Sequence, residues 1–318
     1  MRRRLRDSTR PADRDGLAAE RILREAAGDR VRRNFPLAPL TSFRLGGPAQ
    51  VYLEADSLGD LHAVARAVRE TNISITVVGK GSNLLISDEG FRGLAVRLGR
   101  FFRWAGRNGS RLSAGGAMPL PAFAGVALRH RLSGLEFGVA IPASFGGAVR
   151  MNAGAHGRAV GDVLETIEVF DLETSSVEFV PAAAAELDYR ASHLPSAGVV
   201  VGGTVRLTPA PEEAIRDAMQ EAREWRRATQ PLSDPNCGSV FKNPPGDHAA
   251  RLIEAIGGKD LSVGGARVSE KHSNFIIAGP GATARDVGRL IALLEERVVE
   301  RFGVRLEREV QLVGNIGP

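Results

Sequence analysis

The sequence predicts an α+β protein in which a larger amino-terminal domain, a linker helix and a smaller carboxy-terminal α/β domain follow one another. Three observations indicate this class. Strand-like runs first flank one helical pattern, a series of short strand-like runs follows, and two prolines, Pro209 and Pro211, then interrupt the chain. We place the boundaries as follows: an arm at residues 1–33, the first domain at 34–208, the linker helix at 209–228 and the second domain at 229–318.

Composition limits the possible functions. Apolar residues make up 43% of the 318 residues and charged residues 25%, which is ordinary for a globular protein. A single cysteine excludes a disulfide framework and a Cys-rich metal site, and it favours a cytoplasmic location. Because the six histidines are scattered, we expect no metal. No window approaches the ~18 apolar residues of a membrane span, so we expect no membrane insertion.

The formal net charge of +5 comes from the amino terminus. Residues 1–33 contain 11 Arg against 6 Asp or Glu, which leaves 31 basic and 31 acidic residues in the rest of the chain. We interpret this basic, mixed-charge arm as a solvated or frayed helix. Because the body is neutral and aromatic residues are only 5%, we expect no nucleic-acid partner.

The first domain opens with a β-α-β pattern. A strand-like run ends near Glu54, Ser57 is a plausible N-cap, and apolar residues at helical spacing continue until Asn72. A β-branched run at 73–78 then leads directly into a glycine loop at 79–83. Further elements are predicted at 84–87, 94–98, 165–171, 177–180 and 198–207 as strands, and at 119–131 as a helix.

The second domain begins after the linker helix, predicted at 212–227. We expect a helix at 249–256, a strand at 273–278, and a helix that starts with a capping box of Thr283 and Asp286. A final strand is predicted at 305–313. Its period of two puts Glu307 and Glu309 on the same face, so periodicity cannot choose between the two carboxylates.

Two glycine-rich loops indicate a large ligand. Residues 79–83 begin like a dinucleotide fingerprint, but Leu84 stands where the third glycine belongs, so the loop fails that test. It still offers converging backbone N–H groups for a pyrophosphate, although such a loop on its own is more often a simple tight turn. Residues 141–157 hold four glycines and four alanines. Together the loops favour a phosphate-bearing cofactor.

Seven motifs in register resemble the UDP-N-acetylenolpyruvoylglucosamine reductase family, and the resemblance covers roughly residues 34–314. It implies a vanillyl-alcohol-oxidase or PCMH-type FAD-binding domain of two subdomains plus a carboxy-terminal α/β substrate-binding domain, in the shorter family type that lacks an inserted tyrosine loop. The motifs are Thr41-Ser-Phe-Arg-Leu-Gly-Gly-Pro-Ala, Gly79-Lys-Gly-Ser-Asn-Leu-Leu, Gly146-Gly-Ala-Val-Arg-Met-Asn-Ala-Gly-Ala, Tyr189-Arg-Ala-Ser, Gly238-Ser-Val-Phe-Lys-Asn-Pro, Lys271-His-Ser-Asn-Phe-Ile-Ile and Leu306-Glu-Arg-Glu-Val.

The resemblance also implies an activity, namely NADPH-dependent reduction of UDP-N-acetylglucosamine enolpyruvate to UDP-N-acetylmuramate through FAD, for peptidoglycan. No obligate protein partner is evident. Two alternatives remain, another FAD-dependent sugar or alcohol oxidoreductase and a non-catalytic paralogue that binds a nucleotide sugar or flavin. The implied cofactor-binding residues are Gly79, Lys80, Gly81, Ser82, Asn83, Ser144, Gly146, Gly147, Asn152, Ala153 and Gly154.

The same resemblance implies three catalytic residues. Arg190 is matched to the arginine near the enolpyruvyl carboxylate, and Ser239 to the donor of the proton that C2 receives after hydride reaches C3. The family motif favours Glu309 over Glu307 as the group that hydrogen-bonds the substrate carboxylate. The residues matched to substrate binding are Tyr189, Lys242, Asn243 and His272.

Three positions depart from the family pattern. Ala140 and Ala143 replace the glycines of a common Gly-Ile-Pro-Gly segment, and Lys80 replaces a common glycine. An alanine forced to a positive φ costs ~1–2 kcal/mol, so the two alanines are expected to affect flavin affinity if the loop needs that backbone. Lys80 is expected to place a cation beside a pyrophosphate.

Overall fold

The computed structural model describes residues 11–317. Its helices are α1 (Pro11–Ala27), α2 (Leu58–Thr71), α3 (Leu120–Arg129), α4 (Phe145–Arg150), α5 (Glu212–Thr229), α6 (Ala249–Ala255) and α7 (Ala284–Phe302). Its strands are β1 (Val31–Pro36), β2 (Pro48–Ala55), β3 (Ile75–Val77), β4 (Leu84–Ile86), β5 (Phe91–Leu98), β6 (Ala105–Asn108), β7 (Arg111–Gly115), β8 (Leu132–Ser133), β9 (Gly154–Ala155), β10 (Arg158–Ala159), β11 (Leu164–Asp171), β12 (Ser176–Pro181), β13 (Gly198–Arg206), β14 (Thr208–Pro209), β15 (Ser262–Val263), β16 (Ala266–Val268), β17 (Ile276–Ala278) and β18 (Gln311–Val313).

The first subdomain is a four-stranded sheet in the order β1-β2-β5-β3, covered by α2. β2, β5 and β3 run parallel, so their carboxyl ends meet at one edge. The helix prediction is confirmed, because the Ser57 side chain accepts a hydrogen bond from Asp60 N–H and Asn72 ends the helix at a φ of 54°. The glycine loop at 79–83 follows β3 at the shared edge.

The interpretation of the arm as solvated is wrong for the residues that the structure describes. One face of α1 is buried against the first subdomain, with Ala19 and Leu23 fully covered and Ile22 nearly so. β1 pairs antiparallel with β2, from Val31 opposite Leu53 onward. The arginines misled the prediction because they lie on the solvent side of an amphipathic helix. Residues 1–10 of the predicted arm lie outside the described part of the chain.

The second subdomain is a five-stranded antiparallel sheet in the order β12-β11-β13-β7-β6. α3 and α4 pack on it, and the rings of Phe123 and Phe145 meet edge to face with centroids 5.2 Å apart. The predicted linker helix exists as α5, and it buries Ile215 and Met219 in the same core. The helix is therefore a packed part of the second subdomain as well as a connection.

The carboxy-terminal unit is a three-stranded sheet, β15-β16-β17, with α6 and α7 against it. The predicted capping box is present, since Thr283 and Asp286 bond to each other's backbone N–H groups. The predicted final strand is shorter than expected, because only Gln311–Val313 forms a strand. That strand pairs parallel with β4 of the first subdomain, which fixes the carboxyl end beside the glycine loop. No helix among residues 11–317 is long and apolar enough to cross a membrane.

Candidate active site

A cleft of about 1170 Å³ opens between the two subdomains and the carboxy-terminal unit. Both glycine-rich loops line it, as do Gln230, residues 232–239 and Glu309. The volume slightly exceeds the ~300–1,000 Å³ that is usual for a single small-molecule pocket. The cleft therefore has room for a ligand larger than an ordinary small molecule.

The loop at 79–83 is held from behind by the chain just before β2. The carbonyl of Gly81 accepts hydrogen bonds from Ser42 N–H at 3.0 Å and from Ser42 Oγ at 3.3 Å. Gly81 has a φ of 63°, and a Cβ there would lie 2.0 Å from the Leu40 carbonyl oxygen, so only glycine fits. Asn83 Nδ2 donates to the Glu309 carbonyl at 3.0 Å, which ties this loop to the other side of the cleft.

The second loop touches the first. Ser144 Oγ accepts from Gly147 N–H at 3.3 Å and would lie 2.6 Å from a Cβ placed on Gly79. Gly146 N–H donates to the Gly116 carbonyl at 2.9 Å, which draws the loop against the second subdomain. Of the predicted cofactor residues here, only Asn152 is not in the cleft lining. The others on this loop line it: Ser144, Gly146, Gly147, Ala153 and Gly154.

Asn152 has a structural position instead. Its side chain is buried, donates to the Asp188 carbonyl at 2.9 Å and accepts from Gly161 N–H at 2.8 Å. The predicted contact of this side chain with the cofactor therefore has no support in the geometry. The family motif includes Asn152, but the sequence does not reveal that its backbone has a positive φ of 39°.

Basic side chains gather where the parallel strands end. Lys80 follows β3, Arg97 lies near the end of β5 and Arg103 comes shortly after it, and all three line the cleft. Burial lowers the pKa of Lys80, and the charges of Arg97 and Arg103 lower it further. These cations lie next to the loop at 79–83, where a phosphate would relieve their repulsion. Neither arginine is predicted as a site residue from the sequence, since nothing in their spacing distinguishes them from surface residues.

Arg150 is a partly buried cation that organises another part of the cleft wall. Its guanidinium donates to the carbonyls of Leu194 at 3.0 Å and Pro195 at 2.9 Å, and also bonds the Gly198 carbonyl. Burial lowers its pKa. Residues 196–200 of that segment line the cleft. Arg150 thus fixes the backbone that a ligand would contact.

Arg190 and Glu309 form an ion pair inside the cleft. Arg190 Nε lies 2.8 Å from Glu309 Oε1, and Arg190 Nη2 donates to the Gly154 carbonyl at 2.8 Å. The Nε–H does not point along the line to the carboxylate, so among the described residues it has no hydrogen-bond acceptor. Burial raises the pKa of Glu309, and the charges of Arg190 and Lys242 offset part of that rise. Because Arg190 lines the cleft, its guanidinium can donate hydrogen bonds to an anionic ligand there.

Ser239 is held next to this pair by backbone pairing. Lys242 N–H donates to the Glu307 carbonyl at 2.8 Å, and Glu309 N–H donates to the Val240 carbonyl at 2.8 Å, so the two segments run antiparallel. Ser239, immediately before Val240, lines the cleft together with Glu309.

Asn274 fixes the two residues that follow Ser239, which are Val240 and Phe241. Its Oδ1 accepts from Phe241 N–H at 3.0 Å, its Nδ2 donates to the Phe241 carbonyl at 2.8 Å, and its own carbonyl accepts from Val240 N–H at 2.9 Å. The side chain is 4% exposed. The sequence motif around residue 271 contains Asn274, but the prediction selected its neighbour His272 for the site.

The expectation that Glu307 and Glu309 share a face is wrong. The Glu309 side chain is 16% exposed and points into the cleft, whereas that of Glu307 is 71% exposed and pairs with Lys242 at 2.6 Å. The alternation fails because residues 305–310 do not form a strand. The separation agrees with the choice of Glu309 over Glu307 that the family motif favoured.

The four predicted substrate residues lie outside the cleft lining. The hydroxyl of Tyr189, which is 49% exposed, accepts from Asn243 N–H at 3.4 Å. Asn243 Oδ1 accepts from Ala249 N–H at 3.1 Å at the start of α6, and Lys242 is paired with Glu307. His272 packs on Phe275 and accepts from Asn274 N–H at 3.2 Å. Their predicted contacts with substrate stay predictions.

The residues present fit FAD. The cleft has the required volume, its glycines allow backbone to approach a ligand, and its cations lie beside the loop predicted to hold a pyrophosphate. The alanines that replace the family's glycines do not strain the loop, because neither Ala140 nor Ala143 has a positive φ. Lys80 lies in the cleft, as expected for a cation near a phosphate.

Comparison with known proteins agrees with this arrangement. Residues 49–178 match an FAD binding domain, and residues 230–313 match the UDP-N-acetylenolpyruvoylglucosamine reductase, C-terminal domain. The chain is 42% identical to UDP-N-acetylenolpyruvoylglucosamine reductase from Anaeromyxobacter sp. (strain Fw109-5) over 305 residues, which cover 96% of this chain and 94% of the relative. It is 44% identical to UDP-N-acetylenolpyruvoylglucosamine reductase 2 from Symbiobacterium thermophilum over 287 residues, covering 90% and 93% of the two chains.

A solved structure is similar over most of the chain. The crystal structure of UDP-N-acetylenolpyruvylglucosamine reductase from Thermus caldophilus matches with a TM-score of 0.78 and 36% sequence identity, covering 90% of this chain and 99% of that one. The predicted fold class is therefore confirmed: an FAD-binding domain of two subdomains is followed by the family's carboxy-terminal domain. The matched domains, the long alignments and the shared fold establish that this chain belongs to the UDP-N-acetylenolpyruvoylglucosamine reductase family.

Proposed function

We propose that this protein is an FAD-containing oxidoreductase that uses NADPH to reduce UDP-N-acetylglucosamine enolpyruvate to UDP-N-acetylmuramate, a precursor of peptidoglycan. Family membership supports the reaction and both cofactors. The observation that supports roles for individual residues is the partly buried Arg190–Glu309 pair, which lies in the cleft that Ser239 also lines. No observation favours a sugar oxidase or a non-catalytic paralogue.

The cofactor would lie along the two glycine loops, with Lys80, Arg97 and Arg103 near its phosphates. When bound, FAD supplies hydride chemistry that draws on NADPH. Arg190, which lines the cleft, donates a hydrogen bond from its guanidinium to the carboxylate of the enolpyruvyl group and stabilises the negative charge that grows there during reduction. A cation in a partly dry cleft interacts more strongly than one in water.

Ser239 completes the reduction as the proton donor. Its hydroxyl gives a proton to C2 of the enolpyruvyl group, where carbanion character develops, and a carbanion is basic enough to take a proton from a weak acid. Glu309, which is in contact with Arg190, hydrogen-bonds the same carboxylate. Because burial raises the pKa of Glu309, a protonated carboxyl that can donate a hydrogen bond is easier to reach than in water.

The reaction would take place in the cytoplasm, where NADPH and nucleotide sugars are available. One experiment tests the proposal. The purified protein should absorb near ~450 nm, bleach with NADPH in the absence of oxygen, and regain the band when the enolpyruvyl nucleotide sugar is added. Hydrogen peroxide production from a sugar alcohol without NADPH would support the oxidase instead. A flavin band that NADPH never bleaches would support the non-catalytic paralogue.

A further inference from the structure

Three cations in the cleft wall are partly withdrawn from water. Lys80, Arg150 and Arg226 all line the cleft, and burial lowers the pKa of each. The first lies at the predicted pyrophosphate loop, and the second is satisfied by three backbone carbonyls. Arg226 lies neither at that loop nor against such a set of carbonyls. Within the described residues no acidic side chain pairs with it, and its Nε donates only to Gln230 Oε1, at 3.1 Å.

Arg226 is presented by a rigid part of the fold. It lies in the last turn of α5, a helix anchored in the core by Ile215 and Met219. The helix ends at Thr229, and Gln230 N–H bonds the Arg226 carbonyl at 2.9 Å. The backbone that aims Arg226 and Gln230 at the cleft is therefore fixed before any ligand arrives.

The wall between Arg226 and Ser239 is also rigid. The Asn236 side chain donates to the carbonyls of Pro231 at 2.9 Å and Asp234 at 2.7 Å, and it accepts from Gly238 N–H at 2.9 Å. Every residue from 230 to 239 except Pro231 lines the cleft. Arg226 and the proton donor thus belong to one preorganised surface, separate from the loop at 79–83 that faces it from the first subdomain.

We propose that Arg226, with Gln230 beside it, binds the diphosphate of the nucleotide sugar. This inference rests on the proposed function, because that reaction brings an anionic diphosphate to the side of the cleft that carries Ser239. The planar guanidinium suits phosphate oxygens, and the carboxylate of the same substrate is already matched by Arg190. Gln230 accepts a hydrogen bond from Arg226 Nε, which orients the guanidinium and leaves both of its terminal nitrogens available to the ligand.

The test measures nucleotide affinity by calorimetry on the FAD-loaded protein. Arg226→Met keeps the length of the side chain and removes its charge, so we expect the Kd for UDP to rise ~10–100-fold, the usual scale of a lost charge-assisted hydrogen bond. The Kd for uridine, which has no phosphate, should not change. Raising the salt concentration should weaken UDP binding to the wild type more than to the variant. Arg226→Lys should recover part of the affinity.

Arg227→Met is the matched control, because Arg227 is the exposed neighbour on the same turn and does not line the cleft. It should leave the UDP Kd unchanged. Equal UDP affinity in Arg226→Met and the wild type would overturn the inference. So would a parallel loss of uridine binding, a loss of FAD, or weaker binding of NADP⁺ with UDP unaffected.

The steady-state constants separate this inference from the proposed function. If the wild type reduces the enolpyruvyl substrate and Arg226→Met has the same KM as the wild type, the role of Arg226 is refuted and the proposed function stands. If the wild type does not reduce that substrate, the role of Arg226 and the proposed function are both refuted. A raised KM with kcat largely kept is the expected result, because binding at the diphosphate is remote from the carbon that is protonated.

Discussion

Arg190 Nε lies 2.8 Å from Glu309 Oε1, and this ion pair joins the loop after β12 to the segment before β18. Two opposing effects act on the carboxyl. Burial raises its pKa above the ordinary 4.5, and the neighbouring guanidinium lowers it, with burial the larger effect. Glu309 therefore keeps a proton to higher pH in the folded protein than in the unfolded chain.

The pH dependence of stability follows from that shift. Above pH 4.5 the unfolded chain loses the Glu309 proton while the folded protein still holds it, so this carboxyl lowers stability as pH rises through the window up to its folded pKa. Glu309→Gln cannot ionise. We expect the Tm of the variant minus that of the wild type to increase from pH 4.5 to 7 in scanning fluorimetry. Glu307→Gln, on the exposed neighbour, is the control, and a flat difference for Glu309→Gln would contradict the argument.

The proton-donor role of Ser239 predicts a selective kinetic defect. Ser239→Ala should leave the reduction of the flavin by NADPH fast and slow its reoxidation by the enolpyruvyl substrate by ~10²-fold or more, the scale of a lost general acid. Stopped-flow absorbance separates the two half-reactions. Ser233→Ala is a matched control, because Ser233 lines the same wall of the cleft. Equal reoxidation rates for Ser239→Ala and the wild type would remove the serine from the mechanism.

Asn274 predicts a combined loss of stability and activity. Its buried side chain makes two bonds to the backbone of Phe241, so Asn274→Ala leaves one buried N–H and one buried carbonyl unsatisfied. We expect the free energy of unfolding to fall by about 2–4 kcal/mol in urea titrations. Because the same bonds fix the chain two residues after Ser239, kcat should fall while the Kd for FAD stays near the wild-type value. Unchanged kcat in the folded variant would show that the serine does not depend on this clamp.

Much of the fold could be predicted from local patterns. The N-cap at Ser57 and the capping box of Thr283 and Asp286 depend on neighbouring residues only, and both were confirmed. The final strand was overestimated because alternation continues through residues 305–310, while tertiary contacts decide where pairing with β4 begins. The buried face of α1 was missed for a related reason, since charge is visible in a sequence and the partner of an apolar face is not.

The site was less predictable than the fold. The family motifs indicated Arg190, Ser239 and Glu309, and the structure brings all three to one cleft; their roles stay predictions. Arg226 carries no sequence signal, because an arginine on a helix is ordinary until its environment is known. Arg150 lies within one of the family motifs but was not predicted as a site residue. The shorter family type and the exact domain boundaries also stay predictions.

The contact between the two glycine loops gives a prediction that a pair of substitutions can isolate. A Cβ on Gly79 would lie 2.6 Å from Ser144 Oγ but 3.8 Å from Ser144 Cβ, so the hydroxyl alone causes the clash. Gly79→Ala should therefore destabilise the protein by about 1–3 kcal/mol, as overpacking does, and weaken FAD binding measured by fluorescence. In a Ser144→Ala background the added methyl group has ordinary contacts, and its cost should largely disappear. Gly106→Ala, which meets no atom within 4 Å, controls for the change of residue type. An identical cost of Gly79→Ala in both backgrounds would show that the loops are not in the contact described.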